Sequence, residues 1–291
     1  MYDTILIPTD GSEGALAAAR HGLALATAFE SRIHLLSVVD ERTYSSSIAD
    51  VDSTVREQRD AFEREATEAV RILEELADET SVACHTAVEH GVPHAVIASY
   101  LDRHDIDLVS MGTHGRTGLD RLLVGSVTER IVRTSDVPVL TTRPDADERG
   151  SYERVLIPTD GSEAAAAAVG HGLAVADRYD ARVHALSVVD VSGLMGAPDV
   201  GMNPDVLDTW TEYGERAVSE VAGRAEDRGL DVTTAVEQGL PYRAIRDYTR
   251  QEDIDLVTMG THGRTGLERY LLGSVTERVV RTIDVPVLTV R

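Results

Sequence analysis

Two α/β units in tandem are predicted, each a doubly wound parallel sheet of five strands in the order 3-2-1-4-5. Three observations carry this. The chain repeats at long range: Tyr2–Glu13 reads YDTILIPTDGSE and Tyr152–Glu163 reads YERVLIPTDGSE, while Gly112–Thr141 matches Gly260–Thr289 at 25 of 30 positions. The offset is 150 residues at the start and 148 later, so the repeat is a whole domain and not a small solenoid module. Within each copy, short apolar runs alternate with helical stretches, which is the pattern of βαβ units. The strands are apolar almost throughout, as in a parallel sheet covered on both faces. A length of 291 residues suits two domains that each bury a core.

The elements of the first copy follow in order. Thr4–Ile7 is a short apolar, β-branched strand. Pro8-Thr9-Asp10-Gly11-Ser12 breaks it, and Ser12 is placed to cap an Ala-rich helix running to about Phe29. Arg32–Val39 is the second strand. Asp40–Thr54 is a polar loop, matched by the Gly/Pro/Met-rich Val191–Asp208. Val55–Asp78 is a long charged helix with Ala66, Ala69, Val70 and Leu73 at helical spacing, and its acidic stretch Glu57–Glu79 reads as a solvated face. Ser81–Val88 alternates as strand three. Pro93 suits the first position of a third helix ending near Arg103. Ile106–Met111 is strand four, a glycine-rich loop follows, Ser126–Thr134 is a helix, and Val137–Thr142 is strand five. Arg143–Ser151, RPDADERGS, reads as a linker, which gives domains 1–143 and 151–291 with residues 144–150 between them.

Right-handed crossovers with helices on both faces require the strand order to reverse, so each unit is of Rossmann-like type with its switch point between strands one and four. Ligands of such sheets bind beyond the carboxyl ends of the strands at that point. This selects Pro8–Ser12 and Gly112–Ser126, the segments that also repeat best. The fifth strands would each be an edge, and Pro138 and Pro286 stand at the start of an edge strand. Pairing the two edges makes the chain an internal pseudo-dimer, with any further homodimer formed through Val191–Asp208 or the long helices.

The charge is -22, with 50 acidic residues against 28 basic ones, and every basic residue is Arg. The excess is spread evenly: residues 1–150 carry 27 acids and 14 Arg, and residues 151–291 carry 23 and 14. That field disfavours nucleic acid and anionic membrane surfaces as partners. An evenly acidic, lysine-free surface reads as a high-salt, halophilic adaptation, the alternative being a merely acidic mesophilic protein. The single cysteine, Cys84, excludes an internal disulfide and is assigned to core packing. No apolar run approaches a membrane span and no signal peptide is legible, so the cytoplasm is the expected compartment.

The loop after strand four has the spacing G-x2-G-x9-G-S on Gly112, Gly115, Gly125 and Ser126, repeated on Gly260, Gly263, Gly273 and Ser274. Glycines let backbone N–H groups approach a phosphate, the alternative being a loop that needs them only to turn tightly. A helix start adds free N–H groups and a favourable dipole, and the hydroxyls of Ser126 and Thr128 add donors. A Walker-type loop is excluded because the chain has no Lys, and Pro8–Ser12 lacks the dinucleotide G-x-G-x-x-G.

IPTDGS after strand one, together with this glycine loop after strand four, resembles the universal stress protein family across both halves. In the ATP-binding branch of that family the strand-one Asp contacts ribose or a metal, backbone near the end of strand two holds adenine, and the glycine loop wraps the phosphates. The resemblance therefore implies ATP or AMP as ligand, with Mg²⁺ through Asp10 and Asp160. By motif it implies cofactor contacts at Pro8, Thr9, Asp10, Val38, Met111, Gly112, Gly115, Gly125, Ser126, Val127 and Thr128. In the second copy these are Pro158, Thr159, Asp160, Val188, Met259, Gly260, Gly263, Gly273, Ser274, Val275 and Thr276. Val38 and Val188 rest on strand alignment alone.

Other residues have two readings. Asp10 and Asp160 either bind Mg²⁺ or only fix the turn. Arg116 and Arg264 either meet phosphate or pair with acids such as Asp120 and Glu268. His114 and His262 are expected as loop residues with exposed rings, and His21 and His171 as packing groups. No cluster has zinc spacing and no G-x-S-x-G elbow occurs. The functions in play are a nucleotide-binding stress-response protein acting through conformation or partners, a slow ATPase or phosphotransferase at the same sites, and a scaffold that binds no nucleotide.

Overall fold

The computed structural model describes residues 1–42, 52–80, 82–115, 124–146, 150–191, 204–262 and 272–291. Arg116, Asp120, Gly263, Arg264 and Glu268 lie outside the described residues, as do most of the two variable loops. The chain divides into two compact units, Met1–Gly150 and Ser151–Arg291.

The first unit runs β1 (Thr4–Thr9), α1 (Glu13–Phe29), β2 (Arg32–Asp40), α2 (Asp52–Asp78), β3 (Cys84–Gly91), α3 (Pro93–Arg103), β4 (Leu108–Gly112), α4 (Ser126–Thr134) and β5 (Val139–Thr142). Its strand order is β3-β2-β1-β4-β5, with β1 parallel to both β2 and β4. The reversal of direction therefore falls between β1 and β4. β1 is buried along its whole length because helices cover both faces. The Asp107 carboxylate accepts the N–H groups of Asp3 and Thr4 at 2.8 and 2.9 Å and so anchors the start of β1 beside β4. α1 begins where Ser12 Oγ accepts the Ala15 N–H at 3.3 Å, and it ends at Glu30 in the left-handed region. α1 is pressed so closely on the sheet that a Cβ on Gly22 would stand 2.8 Å from Ile7 Cδ1.

The second unit repeats the plan: β6 (Arg154–Pro158), α5 (Glu163–Tyr179), β7 (Arg182–Asp190), α6 (Pro204–Glu226), β8 (Val232–Gly239), α7 (Pro241–Gln251), β9 (Leu256–Gly260), α8 (Ser274–Thr282) and β10 (Val287–Val290). The order is β8-β7-β6-β9-β10. Asp255 repeats the anchoring role of Asp107, accepting from Glu153 and Arg154 N–H at 2.9 Å.

Several expectations need correction. The ten strands count as one sheet and not as two sheets of five. The long helices start earlier than expected, at Asp52 and Pro204, since polar residues suit a helix end as well as a loop. β3 spans Cys84–Gly91 and not Ser81–Val88. Cys84 is exposed and not a core residue: alternation along a strand at the sheet margin does not say which face is covered. Among the described residues, no helix is long and apolar enough to cross a membrane.

Candidate functional site

The turn after β1 is built by its own side chains. Gly11 has φ of 78°, a left-handed conformation that suits glycine. Its N–H donates to Thr9 Oγ1 at 3.1 Å, and the Ser12 N–H donates to Asp10 Oδ1 at 3.0 Å. The second unit repeats both bonds, from Gly161 to Thr159 Oγ1 at 3.1 Å and from Ser162 to Asp160 Oδ1 at 2.9 Å. One carboxylate oxygen of each Asp thus fixes the turn. The other oxygen of Asp10 faces the glycine loop, where a Cβ on Gly115 would lie 2.6 Å from Oδ2.

The glycines serve different purposes. At Gly112 a Cβ would stand 2.5 Å from the Gly14 carbonyl carbon, and at Gly260 one would stand 2.9 Å from Ala164 O. These two let the first helix of each unit approach the end of β4 or β9. Gly125 differs. Its φ is -57°, and the nearest atom to an added Cβ is Thr113 O at 3.5 Å, an ordinary contact. Nothing in the protein demands glycine there. Gly125 and Gly273 precede α4 and α8 without any side-chain cap. The first amides of these helices have no intrahelical acceptor by helix geometry, so Ser126–Thr128 and Ser274–Thr276 present N–H donors at the positive end of a helix dipole.

The Thr128 hydroxyl, expected as a donor to phosphate, is turned to the backbone instead, and Thr276 repeats it. Thr128 Oγ1 donates to Gly112 O at 2.7 Å and Thr276 Oγ1 to Gly260 O at 2.8 Å. Both are buried, and their hydroxyls tie the helix start to the end of the preceding strand. Ser126 and Ser274 remain exposed.

In the second unit these residues surround a cleft of 630 Å³. Pro158, Thr159, Asp160, Val188, Met259, Gly260, Gly273, Ser274, Val275 and Thr276 all line it. In the first unit Pro8, Thr9, Asp10, Val38, Met111, Gly112, Gly115, Gly125, Ser126, Val127 and Thr128 occupy the corresponding ends of β1, β2 and β4 and the start of α4.

Sequence reasoning missed the helical wall of the cleft, Trp210, Tyr213 and Gly214 on α6 and Ile245 on α7, and also Asp190 at the end of β7. The first-unit counterpart of Asp190 is Asp40, whose carboxyl the Arg42 guanidinium holds below its ordinary range, with Nε at 2.9 Å from Oδ1. The histidines also differ from expectation. His114 and His262 are half-buried and not exposed. Each Nδ1 meets the hydroxyl of the preceding threonine at 2.9 Å, which turns the ring inward. His262 lines the cleft, and its Nε2 is buried without a hydrogen-bond partner among the described residues. His21 is buried, as a packing role requires, and His171 is half-buried, with its pKa lowered by burial. Among the described residues, no group of three His, Cys, Asp or Glu could hold a metal ion.

Comparison with known proteins gives a consistent assignment. The profile of the universal stress protein family matches residues 1–143 and 151–291. A universal stress protein of Methanocaldococcus jannaschii is 40% identical over 140 residues, 48% of this chain and 82% of that protein. One from Mycolicibacterium smegmatis is 29% identical over 297 residues, covering 99% of this chain and 96% of the relative. The crystal structure of a universal stress protein from Archaeoglobus fulgidus aligns with a TM-score of 0.72 at 22% identity, covering 99% of this chain and 96% of that one, and so shares the fold.

Proposed function

Since the chain belongs to the universal stress protein family, we propose that each of its two units, 1–143 and 151–291, binds an adenine nucleotide, ATP or AMP, and that the protein acts in stress response through its nucleotide-dependent conformation or partners. The observation that carries this reading is the cleft of 630 Å³, which gathers nine residues of the two motifs together with Val188 at the end of β7. Its volume falls within the ~300–1,000 Å³ of small-molecule sites.

The donor chemistry of the cleft fits a nucleotide. The N–H groups at the start of α8 suit phosphate oxygens. The buried His262 Nε2, without a partner among the described residues, gains one when a polar ligand enters. Val188 at the end of β7 offers backbone groups to a base, and Asp160 offers a carboxylate oxygen to ribose. One carboxylate per site also suits a Mg²⁺ carried in by ATP, which would otherwise keep water and phosphate ligands. Gly125, where the protein needs no glycine for itself, marks the phosphate approach in the first unit.

The internal pseudo-dimer belongs to the same proposal. β5 and β10 are buried and each is preceded by proline, which suits an antiparallel contact between them that leaves a nucleotide site in each half. Hydrogen exchange tests it. Slow exchange at every amide of Val139–Thr142 and Val287–Val290 is expected, whereas fast exchange at alternate residues would mark open edges.

Equilibrium dialysis with radiolabelled ATP and AMP tests the binding itself. Saturable uptake by the full chain supports the proposal, and no uptake at millimolar nucleotide refutes it.

A further inference from the structure

Trp210 is the one tryptophan of the chain, and it lies 38% exposed in the wall of the second-unit cleft. Its position follows from Gly214. A Cβ on Gly214 would stand 3.1 Å from Val236 Cγ1 and 3.2 Å from Ser187 Oγ, so α6 rests directly on β7 and β8 at that residue. Trp210 is one turn nearer the helix start and on the same face. α6 returns the chain between parallel strands, so its start lies at the carboxyl end of β7, beside Val188, Val189 and Asp190. The core of this helix is made by Ala217, Val218, Val221 and Ala225, all buried. Trp210 is not needed to complete it.

Trp210 and Tyr213 are both exposed and both line the cleft, and aromatic faces give a ligand a large apolar contact area. Tyr213, its neighbour, has the Arg216 guanidinium 4.3 Å over its ring. The cleft therefore has a flat aromatic wall on α6 and amide donors at the start of α8. A heterocyclic base joined to a phosphate has the same two-ended chemistry.

We infer that Trp210 is the stacking surface for the base of the nucleotide in the second unit. The inference rests on the nucleotide-binding proposal above and adds the residue that grips the base. The first unit carries Phe62 at the corresponding position, and Glu65 and Ala66 in place of Tyr213 and Gly214. Its base lies against a smaller ring, so the two sites differ in affinity, with the second site tighter.

Two measurements on the full chain, both with AMP, test this. Because Trp210 is the one tryptophan, its fluorescence reports the second site alone. AMP should quench it saturably, and ribose 5-phosphate, which lacks the base, should not. Equilibrium dialysis should show that Trp210→Ala weakens the tighter of two sites ~10-fold, the scale of base–aromatic stacking, while Trp210→Phe weakens it only ~2-fold. Partial rescue by Phe separates stacking from a merely structural role. Unchanged emission while dialysis detects two bound AMP molecules would overturn the inference and leave the nucleotide proposal standing. Wild-type affinity in Trp210→Ala would do the same. No bound AMP in the wild-type chain would overturn both.

Discussion

Gly115 lies against Asp10 so closely that a Cβ on the glycine would stand 2.6 Å from the Asp10 Oδ2 atom. The loop after β4 and the turn after β1 are thus fitted to each other through a missing side chain. The Asp10 carboxylate cannot simply swing away, because its Oδ1 holds the Ser12 N–H. Gly115→Val should displace Asp10 and cost the first site at least ~10-fold in AMP affinity, on the scale of a lost hydrogen bond to a charged group. Dialysis would then count one normal site per chain. Because the displaced Asp10 also holds the Ser12 N–H, the melting temperature should fall by about 2–4 °C, the effect of ~1 kcal/mol.

Thr276→Val tests the assignment of that hydroxyl to the fold. It leaves the Gly260 carbonyl without its 2.8 Å donor. A loss of about 1–3 kcal/mol in unfolding free energy is expected, the cost of an unsatisfied buried acceptor. Denaturant melts of the variant and the wild type would measure it. Unchanged stability would return the hydroxyl to the ligand.

Much of the site was legible because its parts are local. IPTDGS fixes its own turn through residues two apart, and the helix that starts at Ser274 directly follows Gly273. What was not legible depends on contacts distant in sequence. Thr276 finds its acceptor sixteen residues back. The inward turn of His262 is set by the Thr261 hydroxyl, but whether it meets a cleft or solvent depends on where β9 ends beside β6. Trp210 is decided by how α6 sits on β7, a registry set by Gly214 and Ser187. Cys84 was misplaced for the same reason: its strand alternates, and only packing shows which face is covered.

Acid should destabilise the first unit through a histidine cluster away from the cleft. His34 meets the Tyr100 hydroxyl at 2.9 Å, and its ring lies 4.9 Å from that of His85 and 5.2 Å from that of His104. Burial first, then His85, His104 and Arg32, lower its pKa to about 4. The depressed value means that the unfolded chain takes up the proton first. Stability is therefore full above about pH 6.5 and is lost as pH falls toward 4. His34→Gln should show a smaller drop in melting temperature between pH 7 and 4.5 than the wild type. An equal drop would place the acid sensitivity elsewhere. The second unit has Thr233 and Glu252 where His85 and His104 stand, so His184→Gln should change the profile less.

Salt should stabilise the whole chain. With a charge of -22 and no lysine, self-repulsion at low ionic strength opposes the compact state, and the screening length shrinks from ~10 Å at 0.1 M to ~3 Å at 1 M. Calorimetric melting temperatures should climb as KCl rises from 0.1 to 2 M. A flat or falling series would remove the high-salt reading.

The most direct measurement begins with the purified 291-residue chain. It is denatured, and any released nucleotide is identified by chromatography against ATP and AMP standards. The stripped, refolded chain is then titrated with each nucleotide in molar KCl by calorimetry. Adenine nucleotide in the released fraction and rebinding of two molecules per chain are the expected results. A refolded chain that binds neither ATP nor AMP at millimolar concentration would contradict the assignment of these clefts to a nucleotide.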